Sequence, residues 1–240
     1  MKGLLGLVWL QLGPIITHRP TQGISGSIVE RGALQVESGY QPLFQRSAAP
    51  LPELMAQVRV GLGRQNEGFL THALTWPPAR VSLHALAFKQ RLYSGSLLTL
   101  TAALWGYAPL SRYAAGLQLW LLADLTLSPR GTLTLNAIGG YFGQPQVVLA
   151  GFYTHSFTNR LFSWVEGFAY LPESGGTSRT RAGGGLGLQY ISGKAQRTAV
   201  DLALNAAYLP NERTSQLQVL FGLSRKFAFR VRQGPPPRVP

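Results

Sequence analysis

Thr198-Ala199-Val200-Asp201-Leu202-Ala203-Leu204-Asn205-Ala206-Ala207-Tyr208-Leu209 and, four residues on, Thr214-Ser215-Gln216-Leu217-Gln218-Val219-Leu220-Phe221-Gly222-Leu223-Ser224 decide the fold. Successive strand residues point to opposite sides. Val200, Leu202, Leu204 and Ala206 therefore share one face, with Asp201, Ala203 and Asn205 on the other. Leu217, Val219, Phe221 and Leu223 likewise oppose Gln216, Gln218, Gly222 and Ser224. The same period recurs at Leu133, Leu135 and Ala137 against Thr132, Thr134 and Asn136. Alternation alone suits both a soluble β-sandwich, with the apolar face inside, and a barrel in lipid, with that face outside.

Working outward, the pattern repeats from Gly32 onward, each segment ending in a Gly, Pro, Asn or charged cluster. It predicts strands near 32–42, 54–64, 67–76, 79–92, 95–108, 111–128, 130–142, 145–158, 160–171, 179–191, 197–209 and 214–228. Three features select the barrel. The polar faces carry Gly, Ser, Thr, Asn and Gln rather than the Lys and Glu of solvated surfaces. Connections alternate in length: short near 64–67, 92–95, 128–131, 158–160 and 191–197, and longer at Leu43–Glu53 and Pro172–Ser178. Short periplasmic turns with longer outer loops are the outer-membrane arrangement. An even strand number returns both termini to the periplasm, and aromatics recur near strand ends (Tyr40, Trp76, Trp105, Tyr107, Tyr141, Tyr170, Tyr208, Phe227), as an interfacial girdle requires. The expected fold is an all-β, antiparallel up-and-down transmembrane barrel of twelve strands in a bacterial outer membrane.

Composition agrees. Only 13% of the 240 residues are charged and 45% are hydrophobic, with 28 glycines. No apolar run approaches the ~20 residues of a membrane-crossing helix. The absence of cysteine excludes thiolate catalysis and Cys-ligated metal. The formal charge of +13 comes from Arg and Lys scattered singly, which argues against nucleic acid and for lipid phosphates at the rims or for a tuned lumen. Met1, Lys2 and the apolar run Leu4–Leu12 read as a signal peptide over 1–13. Residues 14–31 then form a periplasmic N-terminal segment, either an extended tail or a piece that folds back as a plug or gate. Residues 32–228 form the barrel and 229–240 a Pro-rich disordered tail. That tail displaces the terminal aromatic read by the barrel-assembly machinery, so Phe227 or Phe229 serves as an internal version of it.

The stretch Ile15-Ile16-Thr17-His18-Arg19-Pro20-Thr21-Gln22-Gly23, followed by Gly32-Ala33-Leu34-Gln35-Val36-Glu37-Ser38-Gly39-Tyr40, resembles the start of a large bacterial family of outer-membrane transporters. That family is often labelled for the MetA pathway of phenol degradation. Its members open on Thr-Asp-Arg-Pro, a spacer, and Gly-x-Leu-Gln-x-Glu-x-Gly; Thr17, His18, Arg19 and Pro20 fall on the first motif, with His18 in place of the family aspartate. Lys89, Asn136, Trp164-Val165-Glu166, Asp201 and Phe221-Gly222-Leu223-Ser224-Arg225-Lys226-Phe227 resemble its later motifs. The resemblance implies a barrel and a transport role and supplies no substrate.

Glu37, Arg59, Lys89, Asp124, Glu166, Asp201 and Lys226 lie singly within strands. A charge facing lipid at the midplane costs roughly 2–4 kcal/mol for Arg or Lys, so these side chains are expected to face the lumen, with Asn136 beside them. Glu37 and Arg59 are placed to meet across the first two strands. Such a lining either selects solutes by charge or fills and stiffens a narrow bore with salt bridges. The leading expectation is passive passage of a small hydrophobic or anionic solute without a cofactor; the alternative is a non-conducting structural or interaction barrel. A third, membrane lipid hydrolysis, rests on Ser82 and His84, which share a face but lack an orienting carboxylate; His155 and Ser156 are adjacent and point apart. His18, His72, His84 and His155 show no ligand spacing, so no metal is expected. Gly183-Gly184-Gly185 lies within a strand and reads as close lumen packing, not a phosphate loop. Tyr153, Tyr190 and Phe168 read as girdle or lipid-facing aromatics rather than a ligand slide.

Overall fold

The computed structural model describes residues 24–45, 48–75, 80–108, 115–141, 145–172, 181–193, 197–209 and 214–228. Twelve strands follow in chain order: β1 (Ala33–Gln45), β2 (Ala48–Gly61), β3 (Asn66–Thr75), β4 (Arg80–Ser94), β5 (Leu98–Tyr107), β6 (Gly116–Ser128), β7 (Gly131–Tyr141), β8 (Pro145–Ser156), β9 (Leu161–Pro172), β10 (Arg181–Ser192), β11 (Thr198–Leu209) and β12 (Thr214–Ala228). Each pairs antiparallel with its chain neighbours, and β12 closes on β1, with Ala33 opposite Ala228 and Tyr40 opposite Phe221. Closure leaves no sheet edge, which is what lets a β-structure lie in lipid without orphaned backbone groups.

The two faces are those read from the alternation, turned inside out. Leu86 and Val165, both within their strands, are 66% and 62% exposed, whereas Lys89 and Glu37 are fully buried. An apolar exterior over a charged interior is the reverse of a soluble sandwich and matches a lipid-facing wall.

Two expectations are corrected. Leu43–Gln45 and Ala48–Glu53 are strand rather than parts of a long outer loop: Leu43 pairs with Leu51 and Gln45 with Ala48. The prolines here read as loop residues, yet the β1–β2 ladder runs through Pro42 opposite Pro52. The aromatics also divide. Tyr40, Tyr141, Tyr208 and Phe227 are exposed on the outer face, but Trp105 is buried, and Trp105, Tyr107 and Tyr170 pack inward. Position parity along the strand decides this, and nearness to a strand end does not. Tyr153 and Tyr190 face outward while Phe168 is buried inside. Trp76, the connection 173–180, residues 1–13 and residues 229–240 lie outside the described residues.

At the end carrying the termini, Gly32 adopts φ 76° and turns the chain into β1, with the Ala33 amide donating to the Glu30 carbonyl at 2.9 Å. A Cβ on Gly61 would overlap the carbonyls of Val29 and Glu30 as they pass into the barrel. Gly61→Ala should therefore destabilise the barrel by about 1–3 kcal/mol, as overpacking does. Urea unfolding in vesicles measures this, and an unchanged midpoint would mean that the entering segment yields freely.

Candidate lumen site

From Gly32 backward, residues 24–31 run into the bore as an extended strap. An extended segment without a strand partner must find donors and acceptors elsewhere. Here they come from side chains on the barrel's inner face. Lys89 Nζ donates to the carbonyls of Ser25 and Ser27, both at 2.6 Å. The Gly26 amide donates to Asp124 Oδ2 at 2.8 Å, and Thr101 Oγ1 donates to the Gly26 carbonyl at 3.2 Å. The Ile24 amide donates to Asn136 Oδ1 at 3.0 Å, and the Val29 amide to Glu67 Oε2 at 2.7 Å. Glu30 is paired with Lys226 at 2.9 Å.

Beneath the strap lies a buried charge network. Arg59 bridges Glu37 at 3.2 Å and Glu67 at 2.9 Å, and Lys89 stands 3.5 Å from Glu67. Gln35 donates to Glu37 at 2.8 Å, and Thr134 donates to Asp124 at 2.7 Å. Glu37, Glu67 and Lys89 show no exposure and Arg59 only 1%, so each charge depends on its partners.

Beside this network the bore is apolar. Phe69, Trp105, Trp120, Leu122, Ile138 and Val148 form one cluster with Ile24 of the strap. Trp105 meets Phe69 edge-on at 4.6 Å, stacks on Tyr107 at 6.0 Å and lies 5.6 Å from Trp120. Tyr107 Oη and Trp120 Nε1 both donate to Gln118 Oε1, at 2.7 and 3.1 Å. The indole N–H of Trp105 and the amide N–H₂ of Asn136 are buried without an acceptor among the described residues. Gly183 and Gly185 serve a separate part of the lumen packing: an added Cβ would press on Phe168, which packs with Ala150 and Ala207, and on Asn205.

All eight strand residues singled out from the sequence point inward. Glu37, Arg59 and Lys89 meet in one network, Asp124 and Asn136 hold the strap, and Lys226 meets Glu30. Glu166 and Asp201 are buried on β9 and β11, with Gln189 donating to Asp201 at 2.6 Å. Thr17, His18, Arg19 and Pro20 lie outside the described residues. Glu67, which organises the network, was missed because it sits one residue into β3, where it reads as part of a turn. Its register partner is Lys89, so the β3–β4 pairing is the signal that finds it. Among the described residues, Arg31, Arg64, Arg130 and Arg160 are exposed on the short turns, whereas Arg91 and Arg197 are partly buried. Ser82's side chain lies outside the described residues, and His84 faces outward.

No family model and no curated protein matches this sequence. Solved structures do. The COG4313 outer membrane channel from Pseudomonas putida F1 superposes with a TM-score of 0.64 at 10% identity, over 87% of this chain and 100% of that one. The KdgM porin in complex with disordered oligogalacturonate gives 0.62 at 10% identity, over 80% of this chain and 99% of that one. At such identities the likeness is one of fold, and the MetA pathway label gains nothing from it. The chain has the fold of an outer-membrane channel barrel.

Proposed function

We propose that this protein is an outer-membrane channel for small solutes, that its own strap occupies the lumen, and that its passengers are apolar rather than anionic. The observation that carries this reading is how the strap is held. Residues 24–29 are bound by side chains of Lys89, Thr101, Asp124, Asn136 and Glu67, so the strap can leave without breaking a strand ladder. A passage filled by a detachable segment differs from a core filled by its own walls.

The solute class follows from the lining. Paired lumen charges leave little net field to attract anions, while Phe69, Trp105 and Trp120 offer ring faces. Trp105 Nε1 and Asn136 Nδ2 supply two donors for a hydroxyl or carbonyl group. The exposed turn arginines, and Arg225 stacked 5.6 Å over the outward Phe227 ring, suit anionic lipid headgroups of the periplasmic leaflet.

Titrating nitrobenzene, a neutral aromatic quencher, into the refolded barrel tests this. Saturable quenching that W105F/W120F largely abolishes is expected, with no response to a sugar of similar mass. Quenching that rises linearly and equally in the variant would remove the apolar-passenger reading.

A further inference from the structure

We propose that His72 and His84 form a two-histidine site for a divalent first-row transition metal on the outer wall of the barrel, separate from the lumen. The two residues are direct cross-strand partners on β3 and β4. On the same outward face, the flanking positions on the side of the periplasmic turns are Leu70 and Leu86, which are 41% and 66% exposed. Two imidazoles side by side are out of place in such an apolar strip unless they serve each other or a ligand. Their position fits a polar ligand. His72 lies three residues before the end of β3 and His84 four after the start of β4, about 10 Å along the strand from the outer hairpin. Both therefore stand toward the outer leaflet, away from the periplasmic turns.

The geometry points to a metal. The Nδ1 atoms of His72 and His84 face each other at 3.2 Å, with the rings inclined at 82°. Two imidazole nitrogens bound to one ion at 2.0–2.1 Å and separated by 3.2 Å subtend about 100° at that ion, between octahedral and tetrahedral values. That separation is compatible with the bite a metal requires. Without metal the same contact is a single N–H···N hydrogen bond, in which one imidazole donates. Binding then needs only that this ring carry its proton on Nε2 instead, with no net proton released from two neutral rings. Two protein ligands leave the remaining positions to water or to oxygens of the outer-leaflet headgroups. Among the ions concerned, Cu²⁺ binds imidazole most strongly and is the most sensitive probe.

The test is a titration of the refolded, full barrel with Cu²⁺, read by electron paramagnetic resonance. One equivalent should bind at micromolar concentration with nitrogen superhyperfine structure from two imidazoles. H72A and H84A should each weaken binding by about tenfold or more and leave a single-nitrogen signal. H155A, altered on a different strand pair near the periplasmic turns, should bind as the parent does. All three sites are on the outer surface, so heat-modifiable mobility confirms that each variant is folded. Absence of saturable binding to the parent, or a two-nitrogen signal that survives in H72A, would overturn the proposal and leave the pair as a hydrogen bond alone.

Discussion

Glu67→Ala is expected to destabilise the barrel by about 3–5 kcal/mol, the range for removing one partner of a buried ion pair. The reason is position. Glu67 accepts from Arg59 at 2.9 and 3.0 Å, faces Lys89 at 3.5 Å, and caps the Val29 amide at 2.7 Å. Alanine removes all of these at once, in a bore where Arg59 and Lys89 are almost fully shielded from solvent. Glu37 still holds one arm of Arg59, so the loss falls mainly on Lys89 and on the second guanidinium nitrogen. Urea unfolding of the refolded barrel in vesicles measures it. Adding Lys89→Met to Glu67→Ala should recover part of the stability, because it removes the buried cation that has lost its carboxylate and leaves Arg59 on Glu37. If Glu67→Ala unfolds with the parent's midpoint, the network is solvated and does not hold the strap.

The second large effect is on conduction. Deleting residues 24–30 should convert a barrel with small or flickering currents into one with stable steps several-fold larger. The strap fills the bore where Lys89, Asp124 and Asn136 converge on it, and its removal leaves Arg59 and Lys89 paired with Glu67. Lys89→Met is the milder companion: it removes the ammonium that holds the Ser25 and Ser27 carbonyls and should raise the fraction of time spent open. Planar-bilayer recordings give both readings. A deleted variant that is folded by heat-modifiable mobility yet electrically silent would mean that the aromatic cluster closes the bore itself. The non-conducting structural barrel would then be the better account. Equal conductance in the parent and the deletion would show that the strap is no obstruction.

How much was legible beforehand depends on the range of the physics involved. The barrel itself was readable, since period-two alternation is a local property and charges such as Asp201 and Lys226 cannot face lipid cheaply. That Glu37 would meet Arg59 was readable too, because they lie two positions apart on the first hairpin, Gln35 being Arg59's direct partner. The aromatics were less so. Trp105 and Tyr107 sit near a strand end, as girdle residues do, yet their parity sends them inward against Phe69 and Trp120.

By itself, the sequence determined the closed twelve-stranded fold, the inward course of its strand charges and the apolar wall, all consequences of neighbouring residues alternating across one sheet. Only the tertiary structure decided what those charges touch. The strap reaches Asp124 and Asn136 across sequence separations of 98 and 112 residues. His72 meets His84 through a hairpin whose register shifts at Ala73 and Leu74. Such contacts depend on strand register and barrel closure, which add one-residue offsets around the whole circumference, and a local pattern with period two carries no record of them.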